Sequence, residues 1–257
     1  MILRRITEHV KAQNWTAVAL DFFIVVVGVF IGIQVANWND ERQTRHDATD
    51  FHARLLSDMR LEAQQYKLLQ YYYRSVWKAA NAAHADLAGK ATLDDTAFLV
   101  NAFRASQYSW AERHRATFDE LVASGNLDLI DDVQLRTTVT GYYAMELLEE
   151  VSRESQTAEY RLAFRKIMPP DIHQALHDQC GDRQLEGGPL GAVTLEYPCQ
   201  FEWPEEEIAA AADMLRSDQE LPSLLRLRIS DLAARDFALQ QNYETYGLDA
   251  FNSQGTE

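Results

Sequence analysis

The sequence is poor in cysteine, proline and basic charge. Two cysteines among 257 residues allow at most one internal disulfide. Lys and Arg number 24 against 39 Asp and Glu, a formal charge of −15. A chain this acidic repels phosphate backbones and anionic headgroups, which argues against a nucleic-acid partner. Neither proline nor glycine occurs between Ile33 and Leu87, so nothing in that stretch interrupts a helix. There is no G-x-S-x-G elbow, no glycine-rich phosphate loop, no C-x-x-C pair, no repeat and no low-complexity tract. The sequence therefore offers no ready-made nucleophile, phosphate cradle or dithiol.

What it does offer is one long hydrophobic run, Thr16 to Ala36, TAVALDFFIVVVGVFIGIQVA. As a helix, these residues rise about 31 Å, the thickness of a bilayer's hydrocarbon core. Trp15 and Trp38 flank the run about 34 Å apart, as interfacial anchors do. A cleaved signal peptide fits less well. The apolar core is too long, and Gln34-Val35-Ala36 places a large polar residue where a cleavage site wants a small one. The expectation is a retained transmembrane helix over 16–37, preceded by a short basic segment over 1–15. Arg4, Arg5 and Lys11 precede the span, while Arg42 and Arg45 follow it. This three-to-two bias favours a cytoplasmic N-terminus and an exported C-terminal domain over 38–257. A cytoplasmic segment of about 14 residues is too small to hold an output domain, so any signal passes through a partner or through helix association.

Within the span, Asp21, Val25, Gly28, Gly32 and Val35 lie on one helical stripe. Gly28 and Gly32 form a GxxxG pair, extended by Ala36, that lets two backbones approach closely. An ionisable group in this position is costly unless paired, neutral or turned inward, so Asp21 marks the same contact. Two readings stand: a self-associating helix with Asp21 at its seam, or a plain anchor whose Asp21 reaches the headgroups.

Beyond the span, Leu55, Met59, Glu62, Tyr66, Leu69, Tyr73, Val76, Ala80, Ala83 and Leu87 step by 4-3-4-3, the seam of a long bundle helix. Gly89 ends it. Asp94 or Asp95 caps a shorter helix to about Arg104, and another covers Ala116 to Ala123 before Ser124-Gly125-Asn126. Asp131 with Gln134 reads as the start of a second long helix running to about Lys166, stopped by Pro169-Pro170. Residues 168–204 collect most of the prolines, four of the eleven glycines and both cysteines, and read as a loop-rich insertion with a brief extended piece at 194–197. Pro204 and Pro222 start the last two helices, the first opening on Glu205-Glu206-Glu207 and carrying Arg216 at its other end. The expected fold is all-α: a single N-terminal transmembrane helix continuing into an antiparallel bundle on three long helices.

Candidate chemistry is sparse. Cys180 and Cys199 are expected to form one disulfide closing about 20 residues, the alternative being two separate buried thiols. His173 and His177 are four apart and can face one metal if helical, with Cys180 as a third ligand and Asp171 or Asp178 as a fourth. The ordinary reading is solvated histidines. Tyr71-Tyr72-Tyr73 and Tyr142-Tyr143 read as core aromatics, with a ligand groove as the alternative.

The segment Gln34 to Arg42, QVANWNDER, together with the Val-Val-Val-Gly-Val-Phe-Ile-Gly run before it, resembles a family of bacterial membrane proteins of unknown function. Their span also ends in a Gln-x-x-Asn-Trp-Asn-like signature. The resemblance continues at Phe118 to Ile130, FDELVASGNLDLI. It implies a membrane-anchored helical domain and supplies no activity and no catalytic residues; with the Lys/Arg bias, the expected location is the bacterial inner membrane, single-pass, with a periplasmic C-terminal domain. The resulting expectation is a non-enzymatic module, without cofactor, that senses a ligand or binds a protein partner and self-associates in the bilayer. The alternatives are an oligomeric assembly or pore lined by Asp21, and a metal-dependent hydrolase using His173 and His177.

Overall fold

The computed structural model describes residues 15–188 and 191–253. The expectations for residues 1–14, and for the side chains of Trp15 and Asp21, lie outside the described residues. The described residues are all-α apart from one hairpin of two-residue strands.

Helix α1 runs unbroken from Trp15 to Leu87, 73 residues and about 110 Å. The breaker-free sequence permits this length, and Gly89 closes it with a φ of 66°. Through His46 its described side chains are exposed, apart from a half-buried Val27. From Leu55 the 4-3-4-3 seam is buried as expected, down to Ala83. Helix α2 (Asp95–Ala105) is capped by the Asp94 carboxylate, which accepts from the Ala97 amide at 2.7 Å. Its Phe98, Leu99 and Phe103 are fully buried against α1. Helix α3 (Ala116–Ser124) stops at Gly125, whose φ of 73° is the left-handed conformation the Ser-Gly-Asn signal calls for.

The expected second long helix is three helices: α4 (Val133–Tyr143), α5 (Leu147–Gln156) and α6 (Glu159–Ile167). The reason lies in the pattern. At about 100° per residue, Val139, Tyr142 and Tyr143 fall on one face of a continuous helix. Leu147, Leu148 and Val151 would fall about 140° away, and Tyr160 and Phe164 would return to the first face. All eight are buried, and only breaks near residues 144–146 and 157–158 turn each set inward. The start also differs by one residue, since Asp132 is the cap and accepts from the Gln134 and Leu135 amides.

Residues 168–204 hold more structure than expected. Pro170 does not merely stop the preceding helix; it opens α7 (Pro170–Cys180), where its missing amide costs nothing. Strands β1 (Arg183–Gln184) and β2 (Val193–Thr194) then pair antiparallel, so only Thr194 of the expected extended piece lies in a strand. Helix α8 (Glu205–Ser217) follows Pro204 as expected, the 25-residue α9 (Leu221–Thr245) begins one residue before Pro222, which sits in its first turn, and a short α10 (Asp249–Ser253), not expected, follows Gly247. The bundle thus rests on two long helices, α1 and α9, packed along each other, with short helices closing the rest of the core. Arg216 does more than offset a helix dipole. It bonds Asp86 at 3.0 Å and Asp95 at 2.5 Å, tying the end of α1 and the start of α2 to α8.

Candidate functional site

Where α1 and α9 run side by side they leave a cavity of about 280 Å³ lined by Tyr73, Arg74, Trp77, Lys78, Leu232, Ala233 and Asp236. Arg74 spans the groove and grips Asp236 with two hydrogen bonds, at 2.8 and 3.3 Å. Tyr73 is held at the floor by donating to the Ser109 carbonyl at 3.0 Å. Lys78 pairs with Glu196 at 2.6 Å. Trp77 is 40% exposed, and nearby on the outer faces of the same two helices Tyr71 is 61% and Phe237 68% exposed. Aromatic rings left in water beside a cavity, with the local charges already matched, suit recognition of a ligand or partner surface.

Below this groove along α1 lies the one polar residue of the seam. Glu62 is fully buried. Arg113 donates through Nε to both its oxygens, at 3.2 and 3.1 Å, while the His114 amide and the Tyr142 hydroxyl donate to it as well. Arg113 also pairs with Glu149. Burial alone pulls the Arg113 pKa down, but Glu62, Tyr142 and Glu149 outweigh it and hold the guanidinium charged. Burial, then the charge of Glu62, pushes the Tyr142 hydroxyl far above its ordinary range. A fully buried, fully bonded carboxylate is out of reach of a substrate. Its role is to fasten the 106–115 connection and α4 to α1. Its signal in the sequence was plain: an acid where the other nine seam positions are apolar or aromatic.

The remaining sequence candidates are placed as follows. Cys180 and Cys199 are joined, with Cα atoms 5.3 Å apart. The closed loop is held at Tyr197, whose ring meets the Arg104 and Arg183 guanidinium groups at 4.7 and 4.0 Å from its centre. With Cys180 in the bond, it is no metal ligand. His173 packs edge-on against Phe103 at 5.9 Å, and burial followed by the charges of Arg165, Arg161 and His177 lowers its pKa. His177 is exposed and lies 3.3 Å from Asp178. Among the described residues, no three His, Cys, Asp or Glu side chains converge as a metal site. Of the tyrosines, Tyr72, Tyr73, Tyr142 and Tyr143 are core, whereas Tyr71 is exposed. Gly28, Gly32, Ala36 and Trp38 are exposed, on the one helix among the described residues long and apolar enough to cross a membrane. No family model, curated protein or solved structure matches the chain, so its resemblance to bacterial membrane proteins rests on the two motifs that carry it.

Proposed function

We propose that this chain is a membrane-anchored, non-enzymatic module whose exported helical bundle offers the α1–α9 groove to a ligand or protein partner, and whose span self-associates. The observation that carries the reading is the continuity of α1. Phe22 to Ile33 form a wholly apolar stretch that stays largely exposed beside the bundle, and the same helix then forms the bundle's seam. An uncovered apolar surface of this size in water is untenable, whereas in lipid it needs no partner. The disulfide is compatible with an oxidising periplasm, the Lys/Arg bias favours that side, and the two motif matches imply a membrane-anchored helical domain. The exposed aromatic groove supports binding in place of catalysis. A reporter active only outside the cytoplasm, fused after Glu257, tests the arrangement. The expected result is an active reporter on a protein that resists alkaline extraction from membranes. An inactive reporter on an inserted fusion reverses the orientation, and a fusion released by alkali removes the anchor.

A further inference from the structure

We propose that the stalk between Trp38 and the bundle is the seam of a parallel homodimer, with the two bundles held on opposite outer sides. The proposal rests on the self-association read above and gives it a location outside the bilayer.

Residues 39–46 of α1 are exposed on every side. A single polar helix in water gains little from its own hydrogen bonds and needs support from side-chain pairs or a neighbour. The internal support is slight: Gln43 donates to Asp47 at 2.8 Å, and the Thr44 and Thr49 hydroxyls donate to carbonyls one turn back. Among the described residues, Arg42 and Arg45 make no ion pair within the chain, and Asp50 has only the 3.8 Å contact of Arg54, with 63% of its side chain exposed.

The stripe Asp21, Val25, Gly28, Gly32, Val35 continues without a break in its 4-3-4-3 step to Asn39, Arg42, His46, Thr49 and Ala53. In a parallel pair in this register, Arg45 of one copy faces Asp50 of the other, five positions on, as flanking charges do in two-stranded coiled coils. Asn39 takes a central position, where an amide fixes register and strand number at some cost in affinity. The polar seam therefore aligns the pair, while the lipid-embedded glycines supply the attraction.

The fold leaves this face open. At about 100° per residue, Gly32, exposed Ser57 and exposed Gln64 fall within about 40° of one another, while buried Met59 and Tyr66 lie on the opposite side. From Arg54 onward the face narrows. Arg54 bonds Glu120 of α3 on one flank, and Lys67 bonds Asp249 of α10 on the other. The seam accordingly ends near Ala53.

Single cysteines introduced into the full chain in membranes test this, the native pair being already bonded. Asn39→Cys and His46→Cys should give disulfide-linked dimers, whereas Glu41→Cys and Thr44→Cys, on the reverse face, should give at least fivefold less. Arg45→Glu should reduce the Asn39→Cys dimer severalfold, and adding Asp50→Arg should restore it. Co-purification of two differently tagged copies in detergent separates the failures. If the copies co-purify but all four cysteines react alike, the stalk seam is wrong and self-association stands. A right-handed crossing of about 40° at the glycines gives that result, because it parts the helices by a further ~16 Å at His46, beyond disulfide reach. If the copies do not co-purify, both the self-association and the seam are overturned.

Discussion

Replacing Glu62 by Gln tests the buried network at its centre. The amide keeps the volume and one acceptor, so the His114 amide and the Tyr142 hydroxyl can still be served in part. It loses the charge, and its NH₂ now meets the Nε–H of Arg113, donor against donor. Arg113 keeps Glu149 as a counter-charge, but that partner is 37% exposed on its side chain and Glu62 is 0%. Breaking one arm of a buried ion pair costs about 3–5 kcal/mol, and the surviving arm places this case near the lower end, about 3 kcal/mol. At about 2–4 °C per kcal/mol for a domain of this size, the bundle's melting temperature should fall by about 6–12 °C. Circular dichroism of the full chain in detergent reads it. Arg113→Met alone should cost a similar amount, and the double variant should cost clearly less than the sum, because neither charge is then stranded. A Glu62→Gln protein melting within about 2 °C of the parent would refute the argument.

Two further outcomes follow from the same structure. Replacing both Cys180 and Cys199 by Ala should lower bundle stability by about 3 kcal/mol in urea unfolding, the entropy of a loop of some 20 residues, and a change under about 1 kcal/mol would mean that Tyr197 and its two arginines already fix the loop. Burial raises the pKa of Tyr66, Tyr72, Tyr73, Tyr142, Tyr143 and Tyr160, so their folded values lie above the unfolded value of about 10. Stability from these groups is complete below about pH 10 and is lost as pH rises further; phenolate absorbance should show them ionising only as the bundle unfolds, and early ionisation without unfolding would contradict their burial.

The parts legible in the sequence were those with a single strong period or a backbone signal. The α1 seam, the Gly125 stop and the starts at Pro204 and Pro222 each follow from one local cause. The α4–α6 region reads as one helix because no proline falls in it and its one glycine, Gly141, lies inside α4 and not at a break. The information was present as a rotation of the apolar face between Tyr143 and Leu147, which a search for breakers does not see. Helix α7 is hidden for the opposite reason, since Pro169-Pro170 reads as an end while a proline in first position also begins a helix. The groove was only half legible. Tyr71 to Tyr73 flagged α1, but nothing local says that Leu232, Ala233 and Asp236, some 160 positions later, form the other wall. That juxtaposition is a property of the packed chain.

The unbroken course of α1 makes one stiff rod of the apolar stretch around Gly28 and a wall of the groove around Trp77. Those residues lie 49 positions apart, about 74 Å, with no joint between them. A joint would absorb a twist; a rod passes it on. A turn of about 30° applied at the glycines swings a side chain about 8 Å from the axis through about 4 Å. Whatever settles beside Trp77, and whatever settles beside Gly28, pull on the two ends of a single lever.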